Sequence, residues 1–279
     1  VVCYWDMRKL SEMPAHVSHR ARLRIGGVKI FLDGSPQGKT AWMSRPYRLQ
    51  PDYCGYPVWR DDQVEAFVRQ GWQQGWQLLA HCKGDAAADQ LIRAVAAVEL
   101  QFPDQDLRPV MIHAQLVRPD QLRQMAALKM AASFFVAHTW YWGDIHLQNF
   151  GERGMRISPL HSALQAHVPF TLHQDTPVIR PDMLETVQCA CRRITRQGQQ
   201  LDPAERISVQ QALEAVTINA AWQYHEEDRK GTLEAGKLAD MIILDRNPLC
   251  CPVSQLPQIH IEETIKEGKT VYRRKPEVS

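Results

Sequence analysis

The sequence predicts an α/β protein built on a parallel sheet, with a small all-β segment at its C-terminal end. Three observations lead there. Short apolar runs alternate with longer amphipathic ones between residues 28 and 218, the rhythm of strand–helix–strand units with right-handed crossovers. About five such units can be counted, too few to close an eight-unit barrel on their own. Beyond His225 the texture changes to short runs joined by turns, at residues 231–236, 239–245 and 261–272.

The elements follow in order. Residues 28–32 (VKIFL) read as a strand, followed by a loop rich in Gly, Pro and Tyr to residue 57. Asp62 is a suitable N-cap for a helix to residue 74, with Val64, Phe67 and Val68 on its apolar face. A strand is expected at 76–80, an Ala-rich helix at 85–100, a strand at 109–112, a helix opened by Pro119 to 128, and a strand at 131–136. Residues 137–154 read as a loop, 158–166 as a helix, 169–172 as a strand and 183–196 as a helix. Ser208 with Gln211 forms a capping box for a last helix through Ile218.

Composition narrows the function. With 279 residues, 44% apolar and 23% charged, the chain has the make-up of an ordinary globular protein: one large domain, or one with a small appendage. Lys and Arg total 33 against 31 Asp and Glu. So even a balance argues against nucleic acid or an anionic membrane as the main partner. No apolar run approaches the ~20 residues of a membrane span, and Asp6, Arg8, Lys9, Glu12 and Pro14 break any signal peptide. Seven scattered cysteines without a C-x-x-C pair suit free thiols in a reducing cytoplasm. The chain opens without an initiator Met, which reads as the C-terminal portion of a longer protein.

Three expected strands end in metal-capable side chains. One delivers His81, the next His113, and a third leads through His173 and Gln174 to Asp175. In parallel α/β folds the carboxyl ends of strands share one mouth, and imidazoles with a carboxylate suit zinc, manganese or iron. A single strand-end histidine is more often a satisfied core residue; a series of them favours a site.

The segments carrying these residues resemble the YtcJ-like metal-dependent amidohydrolases. Residues 27–35 (GVKIFLDGS) are similar to that family's VKIFADG, 81–85 (HCKGD) to HAIGD, and 113–116 to HAQL. Residues 137–144 (AHTWYWGD) are similar to HTYYWGD and 174–178 (QDTPV) to SDAPV, and the ending is matched by 217–221 (TINAA) and 231–240 (GTLEAGKLAD). The resemblance implies an incomplete TIM-type (β/α) barrel over residues 1–222, its first strands missing, and a β-sandwich segment over 223–279. It further implies a hydrolase of non-peptide C–N bonds in an amide, formamide or cyclic amide. One or two divalent ions, zinc first and manganese or iron as alternatives, would be held by Lys29 (as its carbamate), His81, His113 and Asp175. Asp175 would also shuttle the proton, His138 would act beside it, and Trp140, Tyr141 and Asp144 would line the substrate. The partner implied is a small molecule.

One departure matters. The family's pattern begins with an H-x-H pair, and no two of the 11 histidines here are separated by one residue. His16 and His19, among Arg20, Arg22 and Arg24, read instead as a solvated basic surface. The absence supports a second expectation, a catalytically silent fragment or binding relative on the same scaffold. A barrel lacking strands would expose two sheet edges, so a homo-oligomer is expected. The remaining features read as ordinary packing or surface: Trp72 and Trp76 packed over a helix end, and Arg192–Arg193 and Arg273–Lys275 as exposed basic clusters.

Overall fold

The computed structural model describes residues 1–13, 23–103 and 105–275; His16 and His19 lie outside them. The chain begins with β1 (Val2–Asp6) and β2 (Arg24–Phe31), then α1 (Asp61–Gln73), β3 (Gln77–Cys82) and α2 (Asp85–Glu99). Next come β4 (Val110–His113), α3 (Pro119–Ala127), β5 (Ala131–Phe134), α4 (His138–Phe150), α5 (Glu152–Met155), α6 (Leu160–Gln165) and β6 (Phe170–Leu172). The chain finishes with α7 (Met183–Arg192), α8 (Val209–Val216), α9 (Ile218–Gln223), β7 (Met241–Leu244), β8 (Ile261–Lys266) and β9 (Lys269–Arg273).

β1 to β6 form one parallel sheet in sequence order. The α/β class with a parallel sheet therefore holds, with one strand more than the alternation predicts. β1 is the addition: its five residues lead into a 3₁₀ turn, Met7–Glu12, too short to read as the helix of a strand–helix unit. Among the described residues β1 and β6 are the outer strands of the sheet, each paired on one side only. β7, β8 and β9 form a single antiparallel sheet. The expected sandwich needs a second facing layer, and the described residues contain none. Ile242, Ile243, Val271 and Tyr272 instead stand exposed on the small sheet.

Period-two alternation in each strand decides which residues enter the core beneath the helices. Val28, Ile30 and Leu32, then Leu78, Ala80 and Cys82, then Ala132 and Phe134, then Phe170 and Leu172 all join one buried cluster. Leu256 and Ile259, from the segment after α9, join it too.

Two expectations fail for physical reasons. Residues 138–150 are helical, not a loop: the buried positions of α4 are His138, Thr139, Gly143, His146, Asn149 and Phe150, mostly polar or small, so apolar periodicity does not mark the helix. Arg193, expected at the surface, is fully buried. It ends α7 in the left-handed conformation (φ 52°, ψ 49°). Its guanidinium donates to the carbonyls of Ile157 (2.7 Å), Ser158 (2.9 Å), Asp202 (3.1 Å) and Met155 (3.2 Å). Trp72 is buried as expected. The Ser208–Gln211 capping box forms: Gln211 N–H donates to the Ser208 hydroxyl (3.2 Å) and Ser208 N–H to the Gln211 side chain (2.9 Å).

Candidate metal centre

The residues that alternate away from the helix-side core supply the site. On and after β2 these are Lys29, Phe31 and Asp33; on and after β3, Leu79, His81 and Lys83; on β5, Ser133; on and after β6, Thr171 and His173. His113 ends β4 with the parity of the helix-side residue Met111. Its backbone adopts φ 74°, followed by Ala114 at φ 44°, a region non-glycine residues rarely enter. That turn brings its ring to 4.6 Å from His81 and 5.0 Å from His173, centroid to centroid. Asp175 also has a positive φ, 53°, and its Oδ2 lies 4.0 Å from His113 Nε2.

Asp33 anchors the loop behind the site. Its buried carboxylate accepts from the backbone N–H groups of Gly84 (2.7 Å), Lys83 (3.0 Å) and Trp42 (3.1 Å), and lies 3.8 Å from His81 Nε2. Burial pushes its carboxyl up to about 7 against the pull of those donors. Gly84 must be glycine here, since a Cβ would sit 1.9 Å from the Trp42 carbonyl oxygen. His81 donates from Nε2 to the Gly34 carbonyl (3.0 Å), a tautomer assigned from that acceptor.

A second histidine pair lies beside the first. His138 is 6.2 Å from His113, ring to ring, and packs on Trp142 at 4.9 Å. Its Nδ1 is 3.3 Å from His146 Nε2, which is also 2.9 Å from the Gln115 side-chain amide. Ser133 Oγ meets His173 Nδ1 at 2.9 Å. Burial pushes every one of these imidazoles towards neutrality: His81 down to about 4, His146 and His173 to about 3, and His113 and His138 well below the usual histidine value. The charges of Lys29 and Lys83 add to the effect on His81 and His173.

Whether this set fits a metal ion can be judged from its own atoms. His113 Nδ1, His138 Nε2, His146 Nδ1 and His173 Nε2 are buried without a hydrogen-bond partner, and neutral imidazoles are the protonation state that binds zinc-type cations. Yet among the described residues no three His, Cys, Asp or Glu side chains stand close enough together to hold an ion. The set is therefore one of paired donors, His81 with His113 and His113 with Asp175, rather than a closed cage. Lys29 is close at hand: its Nζ lies 5.1 Å over the Phe31 ring, which is 5.0 Å from His81.

The expected substrate residues divide. Trp140 is partly exposed on the first turn of α4. The Tyr141 hydroxyl donates to Glu185 (3.0 Å). Asp144 accepts from the Thr195 hydroxyl (2.6 Å) and from Gln197 N–H (3.2 Å), so its carboxylate braces α4 against the turn after α7. Lys83, His146 and His173 belong to the neighbourhood without having been singled out. Strand parity was the available signal for Lys83 and His173; none pointed to His146 while α4 read as a loop. A cavity of about 500 Å³ is lined instead by Arg45, Arg118, Arg153, Arg156 and Asp85, and contains none of the expected site residues.

A model of the amidohydrolase family matches residues 5–272. The chain belongs to the amidohydrolase family. This amidohydrolase chain is 29% identical over 259 residues to the N-substituted formamide deformylase of Arthrobacter pascens, covering 90% of this chain and 46% of that protein. It is 24% identical over 259 residues to the putative amidohydrolase YtcJ of Bacillus subtilis, covering 90% and 48%. It is 32% identical over 228 residues to the protein LONG AFTER FAR-RED 3 of Arabidopsis thaliana, covering 81% and 39%. The chain thus spans less than half the length of these curated relatives. Among solved structures, an uncharacterised metal-dependent hydrolase of Pyrococcus horikoshii superimposes with a TM-score of 0.77 at 26% identity, covering 89% of this chain and 50% of that one. Its counterpart from Pyrococcus furiosus gives 0.72 at 30%, covering 87% and 49%.

Proposed function

We propose that this chain carries part of the active site of a metal-dependent hydrolase acting on non-peptide C–N bonds, in an amide, formamide or cyclic amide. The observation that carries the reading is the His81–His113 pair at adjacent strand ends, His113 buried and His81 half-buried, with the Asp175 carboxylate beside it. The names of the Arthrobacter deformylase and the two Pyrococcus hydrolases support it. In this reading the six parallel strands are part of a (β/α) barrel over residues 1–222, followed by the segment 223–279. His81, His113, Asp175 and a carboxylated Lys29 hold one or two divalent ions, zinc first, with manganese or iron as alternatives. Bound there, the ion would polarise the carbonyl under attack and acidify a water molecule.

The remaining chemistry belongs to side chains. Asp175 is an exposed carboxylate beside His113, able to take a proton from water and return it to the departing amine. His138 keeps an unpartnered Nε2, so it can hydrogen-bond a substrate carbonyl without giving up another bond. Trp140 and Tyr141 lie on the same helix as His138 and would wall the substrate, while Asp144 contributes by holding that helix in place. A small molecule is the expected partner, and the outer strands β1 and β6 favour a homo-oligomer. No described helix is long and apolar enough to cross a membrane.

A second reading, a silent or binding relative, draws on the unclosed donor set of the described residues. Elemental analysis after loading with zinc, manganese or iron, paired with hydrolysis assays on N-substituted formamides and cyclic amides, separates the two. Bound metal that is lost in His113→Asn, together with turnover, supports the hydrolase. Metal-free protein without turnover overturns it.

A further inference from the structure

The cavity of about 500 Å³ contains none of the histidine cluster and has a chemistry of its own. Among the described residues, Arg45, Arg118, Arg153 and Arg156 line it against one carboxylate, Asp85. Arg45 stands in the loop after β2, Asp85 opens α2 beyond β3, and Arg118 precedes α3 beyond β4. The cleft therefore lies at the same carboxyl ends of the sheet that deliver His81 and His113, and its volume is that of a small-molecule site.

The four arginines are not equivalent. Arg118 is neutralised, donating to Asp85 (3.1 Å), Asp89 (3.0 Å) and Asp120 (3.0 Å). Arg156 pairs with Glu205 at 3.1 Å and lies 3.6 Å from Asp202. Arg153 and Arg45 have no carboxylate partner among the described residues. Arg153 is half-buried and fixed in place: it donates to the carbonyls of Arg45 (3.2 Å) and Pro46 and lies 5.6 Å over the Phe150 ring. Neutral carbonyls orient its guanidinium without cancelling its charge. The exposed Arg45 side chain meets no partner among the described residues. Two uncompensated cations facing one partly enclosed space repel each other more than they would in open water, and a guanidinium fork matches the paired oxygens of a phosphate or carboxylate. The rest of the wall is apolar, from Met43, Leu116, Val117, Pro119 and Pro159.

We propose that this cleft binds a small organic oxyanion, a phosphate or carboxylate group carried on an apolar body, with Arg45 and Arg153 holding the anion. No metal ion enters the reading. Isothermal titration calorimetry of the full chain with phenyl phosphate, benzoate and neutral benzyl alcohol tests it, on wild type, Arg45→Gln, Arg45→Lys, Arg153→Gln and His113→Asn. At least one of the two anions should bind wild type with a Kd below about 1 mM, the tighter of them identifying the oxyanion, and benzyl alcohol should not bind. Arg45→Gln should weaken binding ~5-fold and Arg153→Gln at least ~10-fold, while Arg45→Lys and His113→Asn stay within ~2-fold of wild type. Thermal midpoints by circular dichroism identify a variant that fails to fold, and the exposed Arg45 keeps the test standing if Arg153→Gln unfolds. Neither anion binding at ~10 mM, equal binding of benzyl alcohol, or full affinity in folded Arg45→Gln overturns the proposal. Affinity lost in folded His113→Asn places the anion among the histidines and overturns it as well.

Discussion

Replacing Arg193 with Met should be among the most damaging single changes in this protein. The guanidinium is fully buried and donates four hydrogen bonds to the carbonyls of Met155, Ile157, Ser158 and Asp202. Burial lowers its pKa to about 10, with Glu205 and Asp202 opposing the shift, so it is charged at neutral pH. Methionine fills much of the volume but leaves the Ile157 carbonyl without its donor, while the carbonyls of Met155, Ser158 and Asp202 keep a single backbone donor each, from Asp202, Leu160 and Glu205. The orphaned acceptor costs about 1–3 kcal/mol and each of the three other lost bonds about 0.5–1.5 kcal/mol, giving roughly 2.5–7.5 kcal/mol if simply added. Relief of the buried charge and entry of water pull the total towards the lower end, about 4 kcal/mol. With a urea slope of about 3 kcal/mol/M, suited to a chain of this size, that moves the unfolding midpoint down by roughly 1.3 M. Equilibrium urea unfolding by tryptophan fluorescence measures it, with Arg192→Met as the neighbouring control, expected within about 0.5 kcal/mol of wild type. An Arg193→Met protein less than 1 kcal/mol below wild type, by roughly the scale of an exposed substitution, would refute the reasoning that these four carbonyls depend on this side chain.

Three further outcomes are expected. His146 titrates near 3 in the folded chain because of burial and near ~6.5 unfolded, so the unfolded state takes up the proton first as pH falls. Its contribution is complete above pH ~6.5 and is lost progressively below that, by about 1.2 kcal/mol between pH 7 and 5.5; wild type should lose that much more than His146→Gln in urea melts at the two pH values, and equal losses would contradict it. Gly84→Ala places a methyl 1.9 Å from the Trp42 carbonyl oxygen, which should cost about 3 kcal/mol or more and be visible as a lowered thermal midpoint. Asp144→Ala cuts the bonds from Thr195 and Gln197. It should cost about 1–3 kcal/mol and leave zinc stoichiometry unchanged; a stable variant with altered substrate affinity would mean that Asp144 faces substrate instead.

How much of this could be read in advance varies from residue to residue. His81 was legible because an apolar strand with period two ends in it, and the same parity points to Lys83 and His173. His113 was legible as a strand-end residue, but its direction was not: parity places it on the helix side, and only the positive φ turns it towards His81. α4 escaped because a helix is recognised by its apolar stripe, and this one buries imidazoles and an amide that find partners within the fold. β1 escaped because it is five residues long and leads into a short 3₁₀ turn rather than a recognisable amphipathic run.

The alternation of apolar and amphipathic runs, and with it the parallel sheet and the strand ends that carry the imidazoles, is a property of the sequence alone, since local periodicity needs no distant contact. Arg193 shows what only the tertiary structure decided. Two adjacent arginines look alike in the chain, yet one reaches carbonyls more than 30 residues away and becomes the core of its region. Asp144 is held in the same way, by Thr195 and Gln197 about 50 residues later. Which buried polar group meets which partner depends on pairings between remote segments, and no local pattern records them.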